Sequence, residues 1–446
     1  MRKVLIANRG EIASRIIKTC KEMGIYTVAV YSDADKDLPY VNEADRAHRI
    51  GEPPVNKSYL NMDEILRIAS EEKVEGIHPG YGLLSENSVF AKKVAELGMV
   101  FIGPHFDTIE KMGDKIESRK SMKNAGVPVV PGSIEGIQDI EVAKEIALEI
   151  GYPIMLKASG GGGGIGMIRC EDEQALVRNF QSTKARAKAY FGNDEVFIEK
   201  CIENGRHIEV QIFADGEGNV VHLFERNCSV QRRNQKVIEE SPSPFLSAST
   251  REKMFAAAVK AAKAVNYVNA GTVEFFVDQE ENFYFLEMNT RLQVEHPVTE
   301  MVTGLDLVKW QLLVAMKEKL PLSTQDGIIE QGHAIEFRLY AEDPITFMPS
   351  PGKITKLQWG DTATTRIDEG YIEGNTVTPF YDPMIAKCIV FGETREQCIN
   401  SAKRFFSETK IEGIKTNLPL FHRLLQEEEF ILGDYTTDFL VKEKNH

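Results

Sequence analysis

The sequence predicts an α/β protein, with α+β character in its later part, built from about three units. Three observations lead there. The chain has 446 residues, against a usual domain length of roughly 150. Its opening segment alternates short apolar runs with helically spaced apolar positions, the β-α-β signature of a parallel sheet. Its middle is dominated by strand-like alternation.

The elements follow in order. Val4–Ala7 is a short apolar run that stops at Asn8-Arg9-Gly10. From Glu11 onward Ile12, Ile16, Ile17 and Cys20 recur at helical spacing until Gly24, and Tyr26–Tyr31 is the next strand. The alternation continues through Gly76–Gly82 and Val100–Pro104, so residues 1–113 read as one α/β unit. A second unit, 114–328, starts at Asp114-Lys115 with a helix and a linker at Pro128–Gly132. Then come another helix, the strand Pro153–Ala158, the glycine run Gly160–Gly164, a helix through 183–190 and the strand Val196–Glu199. Strands fill 206–295 around the helix Thr250–Val265, and Leu307–Lys319 is helical. A third unit, 329–446, opens with the alternating segment His333–Asp343 and closes as α/β.

Asp and Glu outnumber Lys and Arg by 67 to 53, a net charge of −14. That argues against nucleic-acid and anionic-membrane binding, which need clustered cations. An anionic ligand must instead be caught by a few local cations. With 23 Phe and 13 Tyr, the chain has ample apolar material for several cores. The six cysteines form no Cys-x-x-Cys pair and read as reduced thiols. The N-terminal apolar run is too short for a signal peptide or membrane span, so a cytoplasmic location is expected.

The most informative segment is NFYFLEMNTRLQVEHP, 282–297. If extended, it places Phe283, Phe285, Glu287, Asn289, Arg291, Gln293 and Glu295 on one face. A solvated strand face also alternates, but this one begins with two phenylalanines, and polar groups leaving a buried face are usually paired or functional. Positions two apart lie about 7 Å from each other along a strand. Glu287 and Asn289 can therefore flank one ion, whereas Glu295 is too far away and needs a separate role. The preceding strand candidate is GTVEFFVD, 271–278. An even-length turn at Gln279–Asn282 puts Glu274 opposite Glu287. Facing carboxylates repel unless a cation joins them, and oxygen ligands suit Mg²⁺ or Mn²⁺.

PIMLKASGGGGGIGM, 153–167, is a strand followed by five glycines, a loop whose N–H groups can approach phosphates closely. Its G-x-G-x-x-G match lacks the acidic residue of a dinucleotide site, and no Gly-Lys-Ser/Thr makes it a P-loop. Lys115, Lys157, Lys200 and Lys236 read as lysines at strand ends. Only Lys157, inside an apolar strand just before the glycines, stands out from surface lysines. In the alternating segment at 333, Ala334, Glu336, Arg338 and Tyr340 share a face. Ala315-Met316-Lys317 is similar to a biotin-attachment tetrapeptide, but a helical setting argues against a modified Lys317.

Together IANRGEIASRI, HPGYGLLSEN, KASGGGGG, EKCIENGRHIEVQ, QRRNQKVIEE, EMNTRLQVEHPVTEM and YDPMIAK, spread in order over almost the whole chain, resemble the biotin carboxylase component of biotin-dependent carboxylases, within the ATP-grasp superfamily. The resemblance implies an N-terminal Rossmann-like parallel-sheet domain, an ATP-grasp domain with a mobile lid at 130–203, and a C-terminal biotin carboxylase domain. It implies that ATP phosphorylates bicarbonate to carboxyphosphate and that the CO₂ passes to biotin on a carrier protein. By the same resemblance, Lys115, Lys157 and Gly162, Gly163 and Gly164 would hold the nucleotide phosphates. Glu199, Lys200 and Ile202 would form the adenine hinge, with His207 and Gln231 near the nucleotide. Glu274, Glu287 and Asn289 match metal positions, in agreement with the hairpin argument. Lys236, Arg291, Gln293 and Val294 match the bicarbonate site, Glu295 the general base, and Arg338 the group that stabilises the biotin enolate. Ile165 and Asn234 depart from the residues many relatives carry, a basic one and His.

The implied partners are a biotin carboxyl carrier protein and carboxyltransferase subunits, with a homodimer expected. An acyl-CoA such as acetyl-CoA is the expected final acceptor, which would place the chain in fatty acid biosynthesis; a pyruvate or urea carboxylase subunit is the alternative. A different ATP-grasp carboxylate–amine ligase would share the metal and ATP residues, but Arg291, Glu295 and Arg338 argue against it.

Overall fold

The computed structural model describes residues 1–133, 135–158 and 167–442. The chain opens with β1 (Lys3–Ile6), β2 (Tyr26–Ser32), β3 (Arg46–Gly51), β4 (Gly76–His78) and β5 (Val100–Phe101). These form one sheet in the order β3-β2-β1-β4-β5, with every pairing parallel. A parallel sheet is buried on both faces, and β1 shows why. Val4 and Ile6 pack with Ile12 and Ile16 of the helix Gly10–Glu22, while Leu5 and Ala7 pack with Ile65 and Ile68 on the other side. The loop after β1 is tied to the loop after β4: Asn8 Nδ2 donates to the carbonyls of Pro79 (2.7 Å) and Tyr81 (2.8 Å). Both loops leave the carboxyl ends of their strands, the usual ligand edge of such a sheet.

Next come β6 (Ile154–Ala158), β7 (Met167–Cys170) and β8 (Val196–Lys200), an antiparallel sheet in the order β7-β6-β8. The helices Ile140–Ile150 and Glu173–Phe191 cover it. β9 (Arg206–Ala214), β10 (Val220–Arg232), β11 (Gln235–Ser241), β12 (Asn269–Val277), β13 (Phe283–Asn289) and β14 (His333–Tyr340) follow. The short strands β15 (Gly352–Lys353) and β16 (Lys356–Gln358) precede β17 (Thr365–Glu369), β18 (Thr376–Val377), β19 (Met384–Gly392) and β20 (Lys410–Glu412). The main sheet runs β13-β12-β9-β10-β11-β14-β19-β17. It therefore continues, through the β11–β14 pairing, from the middle of the chain into the segment after residue 329. Among the described residues no helix is long and apolar enough to cross a membrane.

Three sequence expectations need correction. The extended reading of 282–297 holds only to Asn289. There Thr290 N–H turns to Glu86 Oε1 (3.0 Å), and Glu295 becomes the N-cap of the helix His296–Thr303. Lys115 is the first residue of the helix Lys115–Asn124, not a strand end, and Asp114 caps that helix by accepting from the N–H groups of Ile116 and Glu117. Lys317 lies just beyond the helix Leu307–Ala315, which is shorter than the periodicity suggested.

Candidate active site

The β12–β13 hairpin places the first carboxylates. Glu274 pairs with Glu287, as the sequence predicted, but by another route. The turn is one residue longer than expected, because Asp278 Oδ1 accepts from the N–H groups of Glu280 (3.0 Å) and Asn282 (2.8 Å). A bulge at Leu286 then restores the register, since Phe275 pairs with Phe285 but Glu274 with Glu287. The bulge also changes the face. Phe285 and Met288, three apart, both enter the core, so Glu287 and Asn289 do not continue the phenylalanine face. The row extends inward: Glu274 pairs with Glu209 on β9, and Glu209 with Arg226 on β10. Three carboxylates and a guanidinium thus lie side by side across four strands.

The charges are closely matched. Arg226 Nε donates to Glu209 Oε1 (2.6 Å). Lys236 Nζ reaches Glu209 (2.5 Å), Glu274 (2.9 Å) and Glu295 (2.6 Å). Burial alone would discharge this ammonium, but the three carboxylates hold its pKa well above the usual lysine value. Burial would likewise raise Glu295, yet Lys236, Arg338 and Arg226 outweigh it and hold the carboxyl well below the ordinary range. Arg338 Nη2 stands 3.0 Å from Glu295 Oε2. Arg291 is fixed at every nitrogen: Nε to Glu86 Oε2 (2.8 Å), Nη2 to Asn289 Oδ1 (3.1 Å), Nη1 to Gln293 Oε1 (2.5 Å) and the Leu292 carbonyl (3.2 Å). Gln293 Nε2 donates to Glu274 Oε1 (3.0 Å), and the Val294 carbonyl accepts from Lys387 Nζ (2.9 Å).

On the β6–β8 side, Lys157 Nζ contacts the Glu199 carboxylate, and Arg119 Nη1 donates to its other oxygen (2.6 Å). Burial would raise Glu199, but Lys157 and Arg119 bring it below the usual value. Lys200 Nζ is occupied by the carbonyls of Gly151 and Tyr152 (3.0 Å each). His207 Nδ1 meets Gln231 Nε2 (3.0 Å), and its Nε2 lies 3.0 Å from Glu274 Oε2.

These groups converge on one cavity of about 880 Å³. Every described residue that the resemblance assigns to the site lines it: Lys115, Lys157, Glu199, Lys200, Ile202, His207, Gln231, Lys236, Glu274, Glu287, Asn289, Arg291, Gln293, Val294, Glu295 and Arg338. Gly162, Gly163 and Gly164, with Ile165, lie outside the described residues. Sequence reasoning missed Glu209, Arg226, Glu86 and Arg119. The signal for Glu209 was present, since 206–214 alternates and puts His207, Glu209 and Gln211 on one strand face. Glu86 gave none, because it meets Arg291 only through the tertiary fold.

Two donor sets can be weighed for a metal. His207, Glu209 and Glu274 converge, but the Lys236 ammonium bridges the two glutamates, so every carboxylate of that set is already ion-paired. Glu287 is different: among the described residues its carboxylate has no hydrogen-bond or ion-pair partner, and burial and Glu274 raise its pKa. Glu274, Glu287 and the Asn289 oxygen therefore fit a hard divalent cation, whose charge would relieve the Glu274–Glu287 repulsion.

The chain matches the family model "Biotin carboxylase, N-terminal domain" over residues 1–109, "Carbamoyl-phosphate synthase L chain, ATP binding domain" over 114–323 and "Biotin carboxylase C-terminal domain" over 336–442. It is 58% identical over 438 residues to Biotin carboxylase 2 of Bacillus subtilis (strain 168), covering 98% of each chain. It superposes with a TM-score of 0.96 at 45% identity on a Campylobacter jejuni biotin carboxylase in complex with a nucleotide, covering 99% of this chain and 98% of that one. The biotin carboxylase domain dimer of Hydrogenobacter thermophilus 2-oxoglutarate carboxylase, solved with MgADP, ADP and bicarbonate, gives a TM-score of 0.95 at 47% identity, with 99% and 97% covered.

Proposed function

The chain belongs to the biotin carboxylase family, and on that premise we propose how its residues divide the reaction. It is an ATP-dependent ligase that carboxylates biotin with bicarbonate. Lys115, Lys157 and Gly162–Gly164 bind the phosphates, while Glu199, Lys200 and Ile202 frame the adenine, the Lys200 side chain serving to anchor its own strand. His207 and Gln231 complete the nucleotide side. Glu274, Glu287 and Asn289 hold Mg²⁺ or Mn²⁺, which when bound neutralises charge developing on the transferred phosphoryl group.

Lys236, Arg291, Gln293 and the Val294 backbone receive bicarbonate. An arriving anion competes with Glu295 for Lys236. That loosens the ion pair holding the Glu295 pKa down and makes its carboxylate a stronger base for the bicarbonate proton. Arg338, once Glu295 is protonated, is free to stabilise the oxygen anion of biotin. The single observation that carries this reading is the convergence of Lys236, Glu295 and Arg338 within ion-pair distance beside the paired Glu274 and Glu287.

The domain limits of this scheme are 1–113, 114–328 and 329–446, with 130–203 as the lid. The partners are a biotin carboxyl carrier protein and carboxyltransferase subunits in the cytoplasm, and the chain works as a homodimer. The final acceptor in this reading is an acyl-CoA. The test is ATP hydrolysis with Mg²⁺, with and without bicarbonate and free biotin. Hydrolysis that needs bicarbonate and rises with biotin supports the reading; bicarbonate-independent hydrolysis refutes it. Arg291→Ala should abolish carboxylation while ATP binding survives.

A further inference from the structure

Behind Arg338, off the cavity wall, two carboxyl side chains face each other. Glu239 on β11 stands in register with Glu336 on β14, and both are 0% exposed. The Cβ atoms of such partners lie about 5 Å apart. Among the described residues none of the four carboxyl oxygens has a hydrogen-bond partner. Arg338 Nη2 is in ion-pair contact with Glu239 Oε1, but off the hydrogen-bond direction. Buried polar groups are normally hydrogen-bonded, so three oxygens with neither hydrogen bond nor ion pair, beside a fourth that meets only Arg338, need an explanation.

The charge balance supplies one. The pair is faced by Arg338 and Tyr340 from β14, Lys387 from β19, Lys236 from β11, Cys228 from β10 and Glu295 from the loop before the helix His296–Thr303, with Cys388 of β19 on the opposite face of the sheet. Each cation is already shared. Arg338 serves Glu295 at 3.0 Å, Lys387 serves Glu11 at 3.1 Å and Asp368 at 3.8 Å, and Lys236 serves three carboxylates. Too little positive charge remains for two more buried anions, and facing carboxyls that cannot both ionise share a proton. Burial, opposed by Arg338, pushes Glu239 up to about 7. Burial also pushes Glu336 well above the usual range against Lys387.

We propose that Glu239 and Glu336 hold one proton between them and are positioning residues for Arg338, their single negative charge suspending the guanidinium between Glu239 and Glu295 at the cavity wall. The role assigned to Arg338 rests on the reading given under Proposed function. The test is infrared difference spectroscopy of the full chain and of Glu336→Gln and Glu239→Gln, with steady-state kinetics alongside. A protonated buried-carboxyl band is expected at neutral pH in the unsubstituted protein and is lost in Glu336→Gln, where the remaining Glu239 ionises beside Arg338. In Glu239→Gln the KM for biotin should rise about tenfold, the size of one lost charged contact, with the KM for ATP unchanged. Biotin-dependent turnover of the unsubstituted protein should fall above neutral pH as the shared proton leaves, and Glu336→Gln should flatten that fall. Absence of the band, or a band untouched in both variants, overturns the proposal. A failure of the biotin carboxylase reading would appear instead as missing bicarbonate-dependent hydrolysis in the unsubstituted protein, and the infrared result would stand or fall without it.

Discussion

Replacing Glu86 tests whether Arg291 is held from outside its own segment. Glu86 lies in the N-terminal parallel-sheet region, yet its carboxylate accepts from Arg291 Nε (2.8 Å) and from Thr290 N–H (3.0 Å). In Glu86→Gln the amide oxygen still accepts from Thr290, and the charge-assisted component to Arg291 is lost. Hydrogen bonds to charged groups contribute about 1.5–3 kcal/mol and neutral ones about 1, so the difference is about 1–2 kcal/mol. The Glu86 side chain is 39% exposed, and solvent screening reduces this to about 1 kcal/mol. That corresponds to roughly a fivefold loss in kcat/KM for bicarbonate. Glu86→Ala also orphans the Thr290 N–H and should cost about 2 kcal/mol, roughly thirtyfold. The assay is bicarbonate-dependent ATP hydrolysis at saturating MgATP, with the KM for ATP measured in parallel. If both variants stay within about twofold, or if the loss falls on ATP rather than bicarbonate, the clasp does not position Arg291.

Glu287→Gln should raise the Mg²⁺ concentration for half-maximal hydrolysis about tenfold or more, read by Mg²⁺ titration at fixed ATP. Glu295→Gln keeps the side-chain shape but removes the carboxylate proposed as the base, and bicarbonate-dependent turnover should fall by about 10²-fold or more. Arg338→Lys should keep bicarbonate-dependent hydrolysis while losing its stimulation by biotin, because an ammonium cannot reproduce the planar fork; equal loss of both would place Arg338 in the first step. Burial would raise Glu240, but Arg395 and His333 hold it at about 2. Its folded value is depressed, so its stabilisation is present above the unfolded value of about 4.3 and is lost as pH falls through 2, a window worth about 3 kcal/mol. Urea midpoints of the unsubstituted protein and Glu240→Gln should therefore converge on acidification between about pH 5 and pH 2; parallel curves would refute the assignment.

What could be read from the sequence was what local rules govern. The parallel pairing of β1, β2 and β4 follows from the β-α-β pattern, and the Glu274–Glu287 pairing was reached from a simple hairpin although the turn and register differ from it. The bulge at Leu286 was not legible, because two departures, a longer turn and an extra residue, cancel at the glutamates and leave no trace in the alternation. An extended strand was expected to carry Arg291, Gln293 and Glu295 in a row on one face. Their convergence arises instead from a turn fixed by Glu86, some two hundred residues earlier in the chain. The residues the resemblance pointed to there do line the cavity, while the strand geometry invoked for them was wrong. Arg119 and Arg226 are of the same kind: both read as ordinary charged residues until burial leaves each one carboxylate to satisfy, Glu199 and Glu209 respectively.

The pairing of β11 with β14 has a consequence for dissection. A cut between residues 328 and 329 would split no loop between self-sufficient modules. It would strip a partner from a central strand and open a row of backbone donors and acceptors from Ile238 to Ser241, the kind of naked edge that recruits other chains. Expressed apart, the two pieces should aggregate; expressed together, they should find each other through that seam. Exchanging one side of the seam between relatives should therefore disturb the sheet unless the matching side is exchanged with it.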